Sequence, residues 1–386
     1  MTLFAANSIG TLSRALFLAC SWTWCIGMWF PVYMVNDWGW PGWAAFLVPN
    51  AVGAALVGCL HTSRSSPAFV AANRSAMRAF SVVTILFHVS WLTWLLSLLF
   101  SRSFIGQGWI GGATAAGTVA AGVLLSLGKR WTIPAVVVYA ISLLAAFWSW
   151  RTGSTLRVPP DAGEQPLTGL VYAAPMLVLG FGLCPHLDLT FHRVRQEAAG
   201  WAGVAAFGLA FGLLFPILMV YTLLYAGGFR DGSWSLYLWA HFTAQAAFTI
   251  GAHLRELRPG GIAEWGPRWP VRRAQVLLAV VLMFASAALP WAPGYKEGVP
   301  ATRLVYELFM SFYALVFPAY VWIVAVERGV PRSVRLRAWA ATCVLAAPFM
   351  WVGYIERQYV WLLPAVGIVL VAPVAVKAFA HALDRG

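Results

Sequence analysis

The chain has 386 residues, of which 61% are hydrophobic and only 10% charged, where soluble domains carry roughly 25% charged residues. So few charges cannot clothe a water-soluble surface. The net charge of +13 would suit nucleic acid if gathered in a patch, but the basic residues stand singly or in pairs between apolar runs, which reads as membrane topology and excludes a nucleic-acid partner.

A spanning helix needs about 20 mostly apolar residues against a hydrocarbon core of about 30 Å. Apolar length and Gly/Pro punctuation place about twelve spans, at residues 12–39, 40–61, 77–101, 109–127, 132–151, 167–199, 201–226, 233–257, 272–292, 302–326, 333–352 and 357–378. Residues 1–10 lack a basic leader, so the first span is expected to be retained. Nineteen of the 26 basic residues then fall on the N-terminal side: Arg14; Arg64, Arg74 and Arg78; Lys129 and Arg130; Arg193 and Arg195; Arg255, Arg258, Arg268, Arg272 and Arg273; Arg328, Arg332, Arg335 and Arg337; Lys377 and Arg385. Seven fall on the other. Basic residues favour the cytoplasmic side of short loops, so both termini are predicted to be cytoplasmic. Arginine outnumbers lysine 23 to 3, which fits a bacterial inner (plasma) membrane. The five cysteines fall in or beside apolar runs without metal-like spacing and read as buried free thiols. Tryptophans at the borders, such as Trp38, Trp40, Trp43, Trp234 and Trp239, suit interfacial anchoring. Gly111, Gly112, Gly117 and Gly122 in the fourth span suit close helix approach.

The first and sixth spans exceed one crossing and are interrupted near their middles, by Cys25-Ile26-Gly27-Met28-Trp29-Phe30-Pro31 and by Gly180-Phe181-Gly182-Leu183-Cys184-Pro185. Proline removes a backbone donor, and glycine leaves helical geometry cheaply. Groups freed at bilayer depth must face protein, water or a ligand. Either interruption alone reads equally as an ordinary proline kink. Two at matching positions favour a functional break. Five spans separate them, and an odd number reverses direction, so the halves read as inverted copies, a plan found in secondary transporters with a midplane site. The expectation is one all-α transmembrane domain over 1–386: a first five-helix repeat over 12–151, an inverted repeat over 167–326, and two extra helices over 333–378. Gly27, Trp29, Pro31, Gly180, Gly182 and Pro185 are candidate solute-binding residues.

The passage from Gly180 to Arg193, with Pro185-His186-Leu187-Asp188-Leu189-Thr190-Phe191-His192 inside it, resembles the sixth helix of the amino acid-polyamine-organocation superfamily. There a glycine-containing unwound stretch leads into a polar half-helix and a basic loop. Pro185-His186 is similar to the proline-histidine of the metal-ion members. The first break departs from them: it lacks their Asp-Pro-Gly-Asn and is bulkier than the break of amino-acid permeases. The resemblance covers spans one to ten in layout and fourteen residues in motif. It implies the leucine-transporter fold and leaves the solute open among amino acid, amine and cation.

Ionisable groups at bilayer depth cost several kcal/mol and are functional candidates by default. Asp188 reads as a proton- or cation-coupling group with His186 beside it, or as an N-cap of the following half-helix. His241, Gln245 and Thr249 recur every four residues and share one face of span eight, for lining a site, with His241 and Gln245 at the solute and Thr249, like His186, at the coupling ion, or for bonding between helices. Glu307 in span ten reads as a gate or proton site, or as a partner of Arg303 four residues earlier. His88 reads as a hydrogen-bonded core residue. The coupling ion is expected to be H+ or Na+, with the embedded acid and histidines leaning towards H+; no other cofactor, catalytic residue or metal site is assigned. The string His186, Asp188 and His192 suggests a membrane enzyme as an alternative, although on a regular helix the first two point about 160° apart. A non-transporting subunit or sensor is the remaining alternative. The preferred reading is a secondary transporter of a small solute, with the lipid bilayer as its other partner and its oligomeric state open.

Overall fold

A computed structural model describes residues 3–103, 108–153, 156–229, 235–264, 269–296, 299–327 and 329–383. Arg230, Arg268, Arg328 and Arg385 of the topology count, and the border residue Trp234, lie outside them. Helices α1 (Leu3–Trp22), α2 (Cys25–Leu60), α3 (Ser65–Ser103), α4 (Gly108–Leu127) and α5 (Thr132–Arg151) form the first half. The second half begins with α6 (Leu167–Leu183), a 3-10 turn (Cys184–Leu187) and α7 (Leu189–Glu197). It continues with α8 (Gly200–Leu209) and α9 (Phe215–Phe229), α10 (Leu236–Leu257), α11 (Trp269–Ala288), and α12 (Ala301–Ser311) with α13 (Phe317–Tyr320). The last two crossings are α14 (Arg332–Met350) and α15 (Leu362–Leu383).

Among the described residues ten helical stretches are long and apolar enough to cross a membrane. One of these, Cys25–Leu60, holds two crossings parted at Gly39, whose φ of 64° lies in the left-handed region. A Cβ at Gly39 would sit 2.3 Å from the Asp161 carbonyl oxygen, so only glycine lets the chain turn there beneath the 156–166 loop. The more polar α10, 22 residues long, completes a twelve-crossing plan. Spans seven and ten and the end of span eleven each contain wide π turns, at Ala210–Leu214, Phe312–Val316, Val321–Ala325 and Trp351–Ile355. Pro216, Pro318 and Pro348 lie within a few residues of these turns. Each removes an amide donor from the helical ladder, and a π turn absorbs the mismatch.

Contacts sort the loops into two faces. On one, Ser13 Oγ lies 2.6 Å from Thr132 Oγ1, Arg258 donates to Ser126 Oγ at 3.0 Å, and Lys377 pairs with Glu327 at 2.9 Å. On the other, the Arg157 amide donates to the Leu224 carbonyl at 3.1 Å and Lys296 pairs with Glu356 at 3.1 Å. The described basic loops gather on the first face as the alternating plan requires. Trp38, Trp40 and Trp43 do more than anchor at an interface: their indole N–H groups donate to the carbonyls of Pro166, Pro159 and Met219, at 3.2, 3.0 and 3.1 Å.

The helix breaks are displaced from the glycines that signalled them and, in span one, from Pro31, while Pro185 lies within its break. In span one the non-helical residues are Thr23 and Trp24; Gly27, Trp29 and Pro31 lie inside regular α2. Pro31 is the seventh residue of α2 and has no amide to give the Gly27 carbonyl four residues earlier; Thr222 Oγ1 donates to that carbonyl instead, at 3.4 Å. In span six Gly180 and Gly182 are helical, and the chain departs at Cys184–Asp188 around Pro185. Gly180 serves close approach, since a Cβ there would lie 2.9 Å from the Tyr313 carbonyl; around Gly182 there is open space. The fourth span divides likewise. Gly111 and Gly122 press against the backbone of Leu96 and Ala247, while Gly112 and Gly117 face open space.

Gly39→Ala is expected to lower the melting temperature of the detergent-purified protein by several degrees, while Gly117→Ala leaves it unchanged. Equal melting of the two variants would contradict the turn geometry.

Candidate functional site

The first break is held open by side chains from other spans. The Cys25 amide donates to His88 Nε2 at 3.1 Å, and Tyr306 from α12 donates to the Cys25 carbonyl at 3.1 Å. His88 Nδ1 lies 2.8 Å from the Thr84 carbonyl, so that nitrogen carries the proton and the ring is a neutral bridge. Thr23 caps backwards, its amide and hydroxyl both donating to the Ala19 carbonyl at 3.1 and 2.8 Å. Thr222 and Tyr225 from α9 donate to the Gly27 and Met28 carbonyls.

The second break packs directly against the first. Thr190 Oγ1 donates to Ser21 Oγ at 3.2 Å, and the rings of Phe191 and Trp22 have centroids 4.8 Å apart. Asp188 is fully buried; Oδ1 accepts from the Thr190 amide at 2.7 Å, which caps α7, while Oδ2 has no partner. Of its two sequence readings the cap is present, and one oxygen remains free. His192 is spent at both nitrogens, on the His186 carbonyl at 3.0 Å and Ser66 Oγ at 2.9 Å. His186 Nδ1 lies 3.0 Å from His61 Nε2. The three residues of the suspected enzyme string therefore diverge: one caps, one bridges to α3, one meets His61.

Between the breaks the space is nearly filled. The cavity bounded by Trp22, Trp24, Gly27, Asn50, Cys184 and Tyr313 is about 10 Å³, at the limit for a single water. A larger hollow of about 50 Å³ continues outward between α2, α6, α12 and the α14–α15 corner. Gly180 and Tyr313 bound its inner part, and Asp37, Arg303 and Glu307 its wall. Arg303 grips Asp37 through both terminal nitrogens, at 3.3 and 2.6 Å, and Glu307 through Nε at 2.8 Å, with its guanidinium over the Tyr33 ring at 4.6 Å. The expected Arg303–Glu307 pair is present, and Glu307 keeps one buried oxygen unpartnered, as does the Tyr354 hydroxyl. Removing one member of a buried ion cluster leaves an uncompensated charge, at a cost of about 3–5 kcal/mol.

The polar face of α10 points elsewhere. His241 Nδ1 and Gln245 Nε2 each lie 2.9 Å from Ser142 Oγ on α5, which is the inter-helix bonding alternative. Thr249 Oγ1 and Gln245 Oε1 are buried without partners. Trp29 packs edge-on against Trp94 of α3. Of the sequence candidates, Gly27, Gly180, His186 and Glu307 line hollows in the structure. Sequence reading missed Asp37 and His61, and it gave Tyr306 and Tyr313, near the Glu307 face, no role of their own. Asp37 carried a usable signal, an acid inside an apolar segment.

No protein-family model matches the chain, and no curated protein matches it. Thirteen chains of solved structures do. One is Mhp1, a leucine-transporter-fold transporter in an inward-facing conformation, at 14% identity and TM-score 0.52, with 96% of this chain and 90% of that chain covered. Another is a manganese transporter of Eremococcus coleocola in complex with an aromatic bis-isothiourea substituted compound, at 11% identity and TM-score 0.47, with 100% and 97% covered. The likeness to Mhp1 defines the class by fold: an all-α polytopic membrane protein of five plus five inverted helices, with helices one and six broken and two helices added after them.

His61 lies in the loop between α2 and α3. Burial first, and then the Arg195 guanidinium, lower its pKa from 6.5 to about 4; Arg195 Nε donates to the His61 carbonyl at 2.7 Å, and the His186 and His192 rings face the imidazole. An unfolded His61 protonates below about pH 6.5 but the native one only near 4, so its stabilising neutrality is fully present above 6.5 and is lost as pH falls across that window. The melting temperature is expected to drop between pH 6.5 and 4, and His61→Gln to flatten the drop. A melting temperature constant across this range would refute a buried neutral ring.

Proposed function

We propose that the protein is a secondary active transporter that moves a small solute across a bacterial inner membrane by alternating access, with both termini in the cytoplasm. The observation that carries this reading is the pair of facing breaks, at Thr23–Trp24 and Cys184–Asp188, in inverted halves of one fold. Main chain that leaves helical geometry at bilayer depth is tolerated where it lines a site or a cavity. Trp22, Trp24 and Tyr313 fill the midplane, so this conformation is closed and passage requires those rings to swing. The Asp37–Arg303–Glu307 cluster closes the outer side. The contacts among His61, His186, His192 and Ser66 tie the second break to the basic face.

Within this reading the free Glu307 oxygen, the free Tyr354 hydroxyl and the rings of Phe30 and Tyr33 suit a solute with an N–H cation on an apolar body, an amine or amino acid. Asp188, buried with one oxygen free, is the coupling group, and a proton is the ion such a carboxyl takes up most simply. The enzyme alternative has less support, because Asp188 and His192 are engaged in holding α7.

Uptake into proteoliposomes, screened over amines and amino acids with an imposed proton gradient, tests the proposal. Gradient-driven accumulation of at least one solute is expected, and Asp188→Asn should abolish accumulation while leaving exchange. A protein that accumulates nothing from the panel with either a proton or a sodium gradient is not this transporter. For the outer closure, Met34→Cys in a background lacking Cys59 and Cys343 should react faster with an impermeant thiol reagent when Arg303 is also changed to Ala. An unchanged rate would remove Arg303 from the closure.

A further inference from the structure

On the face that gathers the basic residues, a cavity of about 690 Å³ opens between the end of α2, the start of α3, the second break and the corner between α13 and α14. It lies apart from the hollow that opens outward from the breaks. Its lining is of two kinds. Leu60, Phe69, Leu183, Val321 and Val324 make part of the lining apolar; His61, Ser65, His186, Arg332 and Arg335 supply its polar part.

Neither guanidinium has a carboxylate partner among the described residues. Arg332 donates to the Ala72 carbonyl and, at 3.1 Å, to the Tyr320 hydroxyl. Arg335 donates to the Val324 and Glu327 carbonyls, and its Nε is buried without a partner. Glu327, the acid on the rim, is engaged by Lys377 at 2.9 Å. Two positive charges are thus held at the mouth by neutral oxygens. Helix α14 begins at Arg332 after Pro331, with no side-chain cap; the Val334 and Arg335 amides donate to the Pro331 carbonyl at 3.0 and 3.1 Å, and the positive end of the helix lies at Arg332.

The depth of the cavity is set by what borders it. Leu60 ends α2, Ser65 begins α3, and Arg332 begins α14, so the charged wall stands where spans meet the membrane surface. Leu60 is 64% exposed and Val326 55%, which makes the apolar wall continuous with the lipid-facing surface.

We propose that this cavity binds an anionic phospholipid, with the phosphate on the Arg332 and Arg335 guanidinium groups at the N-terminus of α14, and an acyl chain along the apolar part of the lining. Guanidinium forks match phosphate oxygens in geometry and charge, and basic pockets between helices at the membrane surface suit anionic headgroups. Free phosphate would leave the apolar wall unfilled. Because His186 belongs to the second break and lines the same cavity, 3.0 Å from His61, an occupant touches the segment that must move if the helices rock. Lipid composition thereby acts on the break. The binding claim stands whether or not the protein transports.

The test uses the full-length protein, delipidated in a neutral detergent, with melting temperature and native mass spectrometry as readouts. Phosphatidylglycerol is expected to raise the melting temperature by several degrees and to remain bound one per chain, while phosphatidylcholine and inorganic phosphate do neither. The double change Arg332→Gln and Arg335→Gln should weaken phosphatidylglycerol binding by roughly tenfold or more, the scale expected for two basic residues. Since Arg335 also holds two carbonyls, Ala68→Trp provides a second variant that fills the apolar wall and leaves both charges; the same loss is expected. Phosphatidylglycerol binding undiminished in both variants, or stabilisation by inorganic phosphate as large as by the lipid, would overturn the assignment.

Discussion

The structure depends on one constraint: backbone donors and acceptors released at membrane depth must find partners within the protein. Two interruptions at matching positions create this demand twice, and much of the sparse polar inventory is deployed to meet it. His88, Tyr306, Thr222 and Tyr225 hold the groups around the first break. Asp188 and His192 do the same around the second. These residues come from α3, α9, α12 and α7, so the breaks are also where the two halves are knitted together. A neutral histidine is well suited to bridging at Cys25, because it accepts at one nitrogen while donating at the other without bringing a charge into the bilayer.

Buried polar atoms that this arrangement leaves without a partner are informative where they border the breaks. A buried group without a partner costs about 1–3 kcal/mol. Asp188 Oδ2, Glu307 Oε2 and the Tyr354 hydroxyl are such groups. Two border the path between the breaks and the outer face, and the third sits in the second break itself. The ion cluster of Asp37, Arg303 and Glu307 joins α2 to α12, the two helices whose separation would open the outer hollow. Buried clusters of this kind are more persuasive as devices that specify one arrangement than as sources of stability.

The midplane is closed by aromatic rings. Trp22, Trp24, Phe191 and Tyr313 meet there, and such large groups hop between discrete positions rather than deforming smoothly. A break flanked by rings can therefore support two packed arrangements, which is what a hinge needs. The resemblance to Mhp1 extends over 96% of this chain, yet at 14% identity it transmits the architecture without the chemistry of the site.

The sequence by itself determined the membrane class, the twelve crossings, the sidedness of the basic residues and the inverted relation of spans one and six, because each follows from apolar length, charge placement and parity along one chain. It also located the interruptions to within a few residues, through Gly27, Pro31, Gly180 and Pro185, and it anticipated the Arg303–Glu307 pair, whose members lie one helical turn apart. Only the tertiary structure decided where the chain unwinds, since Thr23 and Trp24 carry no helix-breaking signal and open because His88 and Tyr306 satisfy Cys25. It likewise decided that Asp37 closes on Arg303 across 266 positions, and that the polar face of α10 serves Ser142 rather than the path. Periodicity reveals which residues share a face, but not which neighbour that face meets, because helices apolar all round carry no mark of their partners.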